Sequence, residues 1–472
     1  MLRPWQLEIQ LDPKSEKAIY LQIADAIIKD IHSGRLKAGD ALPGSRNLAQ
    51  LLNVNRNTVV EALNVLINEE WVVSRERKGI FVSAVLPSPG VKNRDLQPAA
   101  QKPDNPARYH IHFDDGHPDS KIAPIAELAR AYRQIFNRKA RWQMMGYADE
   151  YGDTDFRKAI VQMLNHQRGL DTNEHAICIT RGSQMAMYLA TQCLIEKGDY
   201  VIVENPGYKP AWQTVENAGA KLLPVNVDKD GLIIEEVIAH LRSRKKIKAI
   251  YTTPHRQYPT TVTLSLQRRL ALVQLSNEYG FTIIEDDYDN EFCFGYRPVL
   301  PISSLPELKN YIYIGTMSKV VAPALRIGYL VSNKPGLIEK VGTLRRIIDV
   351  QGDTIMEQAV LQLIKDGTIK RHIRKATHHY KAKRDFTAAL LEKQLGDKVS
   401  YTLPEGGLAF WINLKKETNW VQVLGKLEAK GIRIIPPDNY SIEIPINGLR
   451  LSYGSLSEEQ LTEGITLLGK LL

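Results

Sequence analysis

The sequence predicts two folds in one chain: a small, mainly helical domain with a short β wing, then a large α/β domain closing in a smaller α+β portion. Three observations predict it. Between residues 19 and 69 apolar side chains recur at helical spacing, and two short strand-like pieces follow. From Pro87 to Pro106 five prolines (Pro87, Pro89, Pro98, Pro103, Pro106) punctuate a polar stretch with neither a helical nor a strand period. Beyond it, β-branched apolar runs alternate with longer helical patterns, the texture of buried parallel strands joined by crossover helices. These shifts divide the chain into residues 1–85, a linker over 86–108, and residues 109–472.

In the first part, Ile19, Ile23, Ala26, Ile27 and Ile31 mark a helix that Gly34 closes. SRNLAQLL (45–52) reads as a second, short helix. Asn53-Val54-Asn55 turns into a third, about Arg56–Glu69. Leu48, Ala49, Leu52, Val54, Val59 and Leu63 are placed to pack the last two helices together. Two strands, Trp71–Ser74 and Ile80–Ser83, flank a basic turn, Arg75-Glu76-Arg77-Lys78-Gly79. In the linker, proline fixes φ and lacks an N–H, so the segment is expected to be extended and partly stiff.

In the large part the strands are expected at AICIT (176–180), YVIVE (200–204), IKAIYTT (247–253), FTIIED (281–286) and YIYIG (311–315). Helices dominate from Lys334. The closing α+β portion carries strands near LAFWINL (408–414), IRII (432–435) and LRLSY (449–453).

With 43% apolar and 24% charged residues, the 472-residue composition excludes wholesale disorder. No uncharged apolar stretch reaches the ~20 residues a membrane helix needs. Met1–Gln6 lacks the apolar core of a signal peptide. Cys178, Cys193 and Cys293 are too few and scattered for a disulfide framework, and no C-x-x-C spacing exists, so no metal site is expected. A reducing, cytoplasmic compartment fits. The balance of 62 basic and 53 acidic residues gives +9, which allows a polyanionic partner. Residues 1–90 hold 11 basic and 10 acidic residues, so there the positions of Arg46, Arg56, Arg75, Arg77 and Lys78 matter more than the sum.

Those positions are the ones a double-stranded DNA reader needs. The third helix opens on Asn55-Arg56-Asn57-Thr58. Arg can bond guanine bidentately, Asn adenine, and Thr a phosphate or a thymine methyl. Residues near the start of such a helix reach base edges in the major groove. Ser45 and Arg46 open the preceding helix, where backbone N–H groups and a cation grip phosphate. The turn from Arg75 to Gly79, with Lys78, is expected to form a wing lying along the DNA backbone or minor groove. The order of elements resembles the GntR-type winged helix from Ile19 to Val82. The family frame is met by Leu42-Pro43, Arg46, Leu48-Ala49, Val54, Arg56, Thr58-Val59 and Gly79-Ile80-Phe81-Val82. Glu61 departs from it, where many members carry an arginine that supports DNA contact.

Two strand ends in the large domain carry chemistry. FTIIEDDYDNEF presents Asp286, Asp287 and Tyr288; YIYIGTMSKVVAPALRIGY presents Thr316, Ser318 and Lys319, with Arg326 seven residues on. Open α/β sheets bind ligands beyond the carboxyl ends of their strands. A lysine at one end and a carboxylate at another suggest an aldehyde cofactor: the amine forms a Schiff base, and the carboxylate keeps a pyridine nitrogen protonated. Thr316, Ser318 and Arg326, with Gly182-Ser183-Gln184 at a helix start, supply donors for a phosphate. Tyr208 in NPGY is placed to stack on the ring.

The ordered set resembles the fold-type I, class I aminotransferases of pyridoxal 5′-phosphate chemistry, over roughly Tyr109 to Leu472. The resemblance implies Lys319 as the Schiff-base lysine and Asp286 as partner of the ring nitrogen. It implies Tyr288 on the ring hydroxyl, and Ser183, Gln184, Thr316, Ser318 and Arg326 on the phosphate. Arg450 in LRLSY then binds an amino-acid carboxylate, and Tyr147 reaches a partner subunit's phosphate. One segment departs: where the family has Asn-Pro-x-Gly, this chain has Tyr258-Pro259-Thr260-Thr261, with Tyr in place of the asparagine and Thr in place of the glycine.

Together the two parts resemble the MocR/GabR family of bacterial regulators. The resemblance implies a homodimeric, pyridoxal-phosphate-dependent transcription regulator on a DNA operator, its binding set by the cofactor itself or by a small amine or amino-acid effector. Two alternatives stay open: a working aminotransferase with an accessory DNA-binding arm, and a winged helix serving protein contacts. The altered Asn-Pro-x-Gly segment favours the regulator, with absent or vestigial transamination.

Overall fold

The computed structural model describes residues 9–76, 78–86, 109–137, 142, 145–243, 245–289, 291–295, 299–443 and 445–472. Arg77 and the expected linker from residue 87 onward lie outside the described residues. The chain divides into two compact units, with the break inside that expected linker.

The first unit has helices Ile19–His32, Ser45–Leu52 and Arg56–Asn68, then an antiparallel pair, Val72–Arg75 with Gly79–Val82. Ile23, Ile27, Leu48, Val59, Leu63, Leu66, Val72 and Val82 share one core. Burying each such side chain contributes about 1.5–3 kcal/mol. Leu52 and Val54 pack on its margin rather than inside it. The turn between the last two helices places Asn53 at φ 51°, a left-handed position that asparagine tolerates better than most residues. At the wing tip Arg75 pairs with Gly79, whose φ of +109° suits a residue without a Cβ.

The second unit is built on an eight-stranded sheet. Its order is Ile177–Thr180, Gly328–Ser332, Tyr311–Thr316, Thr282–Asp287, Ile247–Thr252, Tyr200–Asn205, Lys221–Asp228 and Gly231–Leu232. The five expected strands are all present, but the sheet is mixed. Gly328–Ser332 runs antiparallel to both of its neighbours, Tyr311–Thr316 and Ile177–Thr180. The physical reason is the connection: residues 317–327 hold one short 3-10 turn and no helix, and a parallel return needs a crossover. Lys221–Asp228 and Gly231–Leu232 were unanticipated: the first has buried Leu223 and Val225 alternating with exposed residues and so shows no continuous apolar run, and the second, at the sheet edge, is only two residues long.

Helices Leu337–Asp349, Thr354–Lys365 and Thr368–Leu395 follow. A three-stranded antiparallel sheet of Val399–Tyr401, Ala409–Leu414 and Gly448–Ser452 forms the closing portion. The portion is not purely C-terminal: Ile111–Phe113, just after the expected linker, pairs in parallel with Ile432–Ile434. Phe113 and Ile111 thereby enter the core of the closing portion, and the turn after Phe113 is carried to the site described below. Among the described residues no helix is long and apolar enough to cross a membrane, and no group of three or more His, Cys, Asp or Glu gathers as metal ligands would.

Candidate functional site

On the first unit, the residues expected at DNA gather at two neighbouring helix starts and the wing. Helix Ser45–Leu52 begins after Gly44 with no side-chain cap, so its first N–H groups stay available to an anion. Arg46, Arg56 and Asn57 are exposed, and Ser45 and Thr58 half-buried. Arg56 Nε reaches Ser45 Oγ at 3.5 Å, which ties the two helix starts together. Asn55 differs from its expected role as a base reader. Its side-chain oxygen accepts from the Asn57 N–H at 2.9 Å and caps the third helix, because an asparagine before a first turn satisfies an otherwise orphaned donor. In the wing, Lys78 and Gly79 are exposed, while the Arg75 guanidinium lies over the Phe81 ring at 4.8 Å.

In the second unit, a cavity of about 230 Å3 opens at the carboxyl ends of the parallel strands. Lys319, Asp286, Tyr288, Tyr208, Ser183, Gln184, Thr316, Ser318 and Arg326 all line it. A wider surface hollow of about 660 Å3, around Cys193, Lys248 and Lys340, gathers no comparable chemistry.

Strand geometry selects one carboxylate from three. Successive side chains of a strand point to opposite faces, so Glu285 and Asp287 turn away from Asp286. Glu285 accepts from the Ile302 and Ser303 N–H groups at 2.9 and 2.8 Å, and Asp287 from the Tyr313 hydroxyl. Asp286 faces the cavity. Its Oδ2 accepts from the Tyr251 hydroxyl at 3.0 Å, and its buried Oδ1 has no partner. Burial, with the charge of Asp287 behind it, pushes its carboxyl up to about 7. An opposite charge beside that free oxygen reverses the effect of burial.

On the next strand, Tyr311–Thr316, the chain turns at Met317-Ser318 and delivers Lys319. Its Nζ donates to the Gly116 carbonyl at 2.6 Å. Burial holds its ammonium below the ordinary lysine range, against the opposing charges of Asp289 and Asp114. A lysine so placed is a competent nucleophile toward an aldehyde.

The residues expected to hold a phosphate meet at the start of helix Ser183–Leu194, which has no side-chain cap. Gly182 (φ +81°) lies so close to Arg326 that a Cβ would stand 2.8 Å from its Nη2. Arg326 Nη2 donates to the Arg181 carbonyl at 3.2 Å. Ser318 Oγ is buried without a partner. Thr316 Oγ1 donates to the Ile327 carbonyl and Gln184 Nε2 to the Pro210 carbonyl, so Gln184 offers the site its backbone N–H rather than its amide. The half-satisfied Asp286, the partnerless Ser318 hydroxyl and the uncapped helix match a pyridinium and a phosphate in donor and charge type.

Three placements were not legible beforehand. Tyr288 lines the cavity, but its hydroxyl already donates to the Arg256 carbonyl at 3.0 Å. Arg450 is 1% exposed and does not line the cavity: Tyr258 covers its guanidinium, ring centroid to carbon 4.9 Å, and its Nη1 donates to the Pro259 carbonyl. The phenol that replaces asparagine thus lies against Arg450 and lines the cavity, while Arg450 Nε is buried without a partner. Tyr147 is 91% exposed and lies outside the cavity of its own chain. Thr261 keeps φ +63°, the backbone a glycine would hold at that place in the frame.

Asp115, His117, Tyr251 and Thr253 line the cavity without having been singled out in the sequence. Asp115 and His117 stand in the turn after Ile111–Phe113, whose Gly116 at φ +85° was the available signal. Tyr251 sits on a strand that reads as buried and apolar.

The chain's likenesses agree with this geometry. Residues 113–468 match the family described as aminotransferase class I and II, and residues 19–82 match the bacterial regulatory proteins of the gntR family. The probable rhizopine catabolism regulatory protein MocR of Rhizobium meliloti is 28% identical, the match covering 97% of this chain and 94% of that protein. The HTH-type transcriptional regulator TauR of Rhodobacter capsulatus is 27% identical, with 98% of both chains covered. The crystal structure of an archaeal alanine:glyoxylate aminotransferase superposes with a TM-score of 0.72 at 30% identity, over 76% of this chain and 90% of that one. With most of its length matched by the first model and its N-terminal residues by the second, the chain belongs to the aminotransferase class I and II family, joined to a GntR-type helix–turn–helix domain as in the MocR-type transcriptional regulators.

Proposed function

We propose that the protein is a cytoplasmic regulator that binds operator DNA through its winged helix and senses pyridoxal 5′-phosphate, or an amine or amino acid reacting with it, in the second unit. The observation that carries this reading is the half-buried Lys319 amine, three residues beyond the end of strand Tyr311–Thr316, and the half-satisfied Asp286 carboxylate on the neighbouring strand, both lining one cavity. When bound, the cofactor supplies an aldehyde that takes up amines reversibly and a ring that withdraws electrons. Lys319 would hold it covalently, Asp286 would keep its ring nitrogen protonated, and Tyr208 would lie against its ring. Ser183, the Gln184 N–H, Thr316, Ser318 and Arg326 would hold its phosphate. Tyr258 stands in the place of an asparagine that would donate to the ring hydroxyl and gives its own hydroxyl to Asp115 instead, which favours sensing over catalysis.

The sensor works as a homodimer of the large domain in this reading. Tyr147, exposed on its own chain, reaches the partner's phosphate, and closed two-fold symmetry is the common solution for such sites. Two winged helices then meet two half-sites. An effector shifts DNA binding only by its differential affinity for two conformations, and coupling of this kind typically changes affinity about 5–150-fold. Titrating operator binding first with cofactor alone and then with amines tests the proposal. If neither changes affinity, footprint or bending, while amino acids and 2-oxoacids turn over in steady state, the enzyme reading replaces it.

A further inference from the structure

Once a pyridinium and a phosphate take Asp286 and the Ser183–Arg326 cradle, the cavity keeps one further carboxylate, that of Asp115. It is half-buried and accepts from the Tyr258 hydroxyl. His117 beside it turns Nδ1 to Asp114 Oδ2 at 3.1 Å. Asp114 itself is spent on its own turn, accepting from the Gly116 and His117 N–H groups and from Ser455. Charge from Asp115 reaches both Lys319 and Tyr258.

The cation that would balance a ligand carboxylate is withheld. The Tyr258 ring lies over Arg450, Tyr208 and Tyr440 pack edge-on against Tyr258 at 5.0 and 5.9 Å, and Trp411 meets Tyr440 at 5.6 Å. From the other side Gly116 closes in, since a Cβ there would stand 3.6 Å from Arg450 Nη2. An entering ligand thus meets an aromatic wall and a carboxylate instead of a guanidinium. A half-buried carboxylate at a cavity wall attracts a cation and repels a like charge, which would have to be partly desolvated beside it.

We propose that the effector of this site is a small primary amine carrying a second cationic group, a short diamine, whose distal ammonium is held by Asp115, and that amino acids are disfavoured because Tyr258 screens Arg450. This rests on the cofactor-sensing reading above.

The test uses the full chain loaded with pyridoxal phosphate, followed by visible absorption and by calorimetry. The probes are putrescine, n-butylamine, γ-aminobutyrate and L-alanine. Putrescine is expected to half-saturate at a concentration about 10–100-fold below that of n-butylamine, the range of one charge-assisted hydrogen bond, with both carboxylates weaker still. Asp115→Asn should bring putrescine to the level of n-butylamine, with its cofactor absorbance reporting that the protein remains folded. Tyr258→Asn should uncover Arg450 and improve the carboxylate probes. Tighter binding of γ-aminobutyrate or L-alanine to the unsubstituted protein overturns the inference, as does a putrescine preference that survives Asp115→Asn. Failure to bind cofactor by either readout overturns the underlying reading and the inference with it. Bound cofactor with an amino-acid preference overturns the inference alone.

Discussion

Asp286 accepts one hydrogen bond, from the Tyr251 hydroxyl at 3.0 Å, and leaves its second, buried oxygen without a partner. Desolvation pushes that carboxyl from 3.8 up to about 7. An acid whose pKa rises on folding binds its proton more tightly in the folded chain. Its contribution to stability is full below about pH 4 and is lost as the pH climbs through about 7. Asp286→Asn keeps the volume and the acceptor for Tyr251 but cannot ionise. Urea unfolding of cofactor-free protein at pH 5 and pH 8 should show a smaller loss of stability for the variant, by a few kcal/mol at most. Equal losses in both proteins would show that Asp286 does not titrate in this range. Adding cofactor should erase most of the difference in the unsubstituted protein, because a pyridinium supplies the missing countercharge.

Lys319 is the covalent anchor in the proposed function, and its Nζ is held on the Gly116 carbonyl at 2.6 Å. Protein mixed with pyridoxal phosphate should turn yellow. Borohydride should bleach the band and fix the label on the Lys319 peptide. Lys319→Ala is expected to fold, to lose the reducible band completely and to lose the normal DNA response to amines. A reducible band that persists in Lys319→Ala would move the anchor to another lysine.

The N-terminal helices were legible because each carries its own punctuation: Gly34 after the first, Asn55 as cap of the third, and Leu48, Val59 and Leu63 at core positions. Asp286, Lys319 and Arg326 were legible because strand ends and a short lysine–arginine spacing lie within continuous sequence. Asp115 was not, since its place beside Tyr258 depends on the Ile111–Phe113 strand joining Ile432–Ile434 across the length of the domain. The screening of Arg450 was hidden for the same reason: the substitution at Tyr258 was visible, but the direction in which its ring lies is a property of packing. The antiparallel Gly328–Ser332 strand is apolar like its parallel neighbours, so periodicity alone does not give its direction.

The proposed phosphate cradle rests on two glycines. A Cβ at Gly328 would stand 2.5 Å from the Gly182 carbonyl carbon, and one at Gly182 would stand 2.8 Å from Arg326 Nη2. The first neighbour is backbone and must shift; the second is the tip of a long side chain and can move. Gly328→Ala should therefore cost about 1–3 kcal/mol in stability as overpacking and weaken cofactor binding. Gly182→Ala, at φ +81°, combines backbone strain with a displaced guanidinium, and its larger effect should appear in cofactor affinity. Equal affinities in unsubstituted and Gly182→Ala proteins would remove Arg326 from the phosphate site.

Thr261 holds φ +63° while its N–H donates to the Gln257 carbonyl at 2.7 Å. A β-branched residue in the left-handed region costs about 1–2 kcal/mol relative to glycine, partly offset by the greater chain entropy glycine loses on folding. Thr261→Gly is expected to be neutral or to stabilise by up to about 1 kcal/mol, the opposite of the usual effect of glycine, as read by thermal unfolding. A clear destabilisation would mean that the threonine side chain contributes packing that outweighs its backbone strain.

Base reading and phosphate gripping fall to different side chains of the first unit in the proposed function. Arg56 opens the third helix, exposed, with Nε at 3.5 Å from Ser45 Oγ; Lys78 is exposed at the tip of the wing. A guanidinium beside a helix start at the major groove offers a planar, bidentate donor pair, whereas a lysine on a wing offers a point charge. Arg56→Ala should cost about 1–3 kcal/mol on operator DNA and relax preference at one base position, with a much smaller effect on unrelated DNA. Lys78→Ala should weaken all sequences alike and reduce the salt slope of binding by roughly one unit, the loss of one phosphate contact. Salt-dependent gel-shift titrations of both variants on operator and random duplexes distinguish the roles. Should Arg56→Ala lower specific and non-specific binding equally, the Ser45–Arg56 pair is a phosphate clamp, and base reading passes to Asn57 and Thr58, since Asn55 is already committed to its cap.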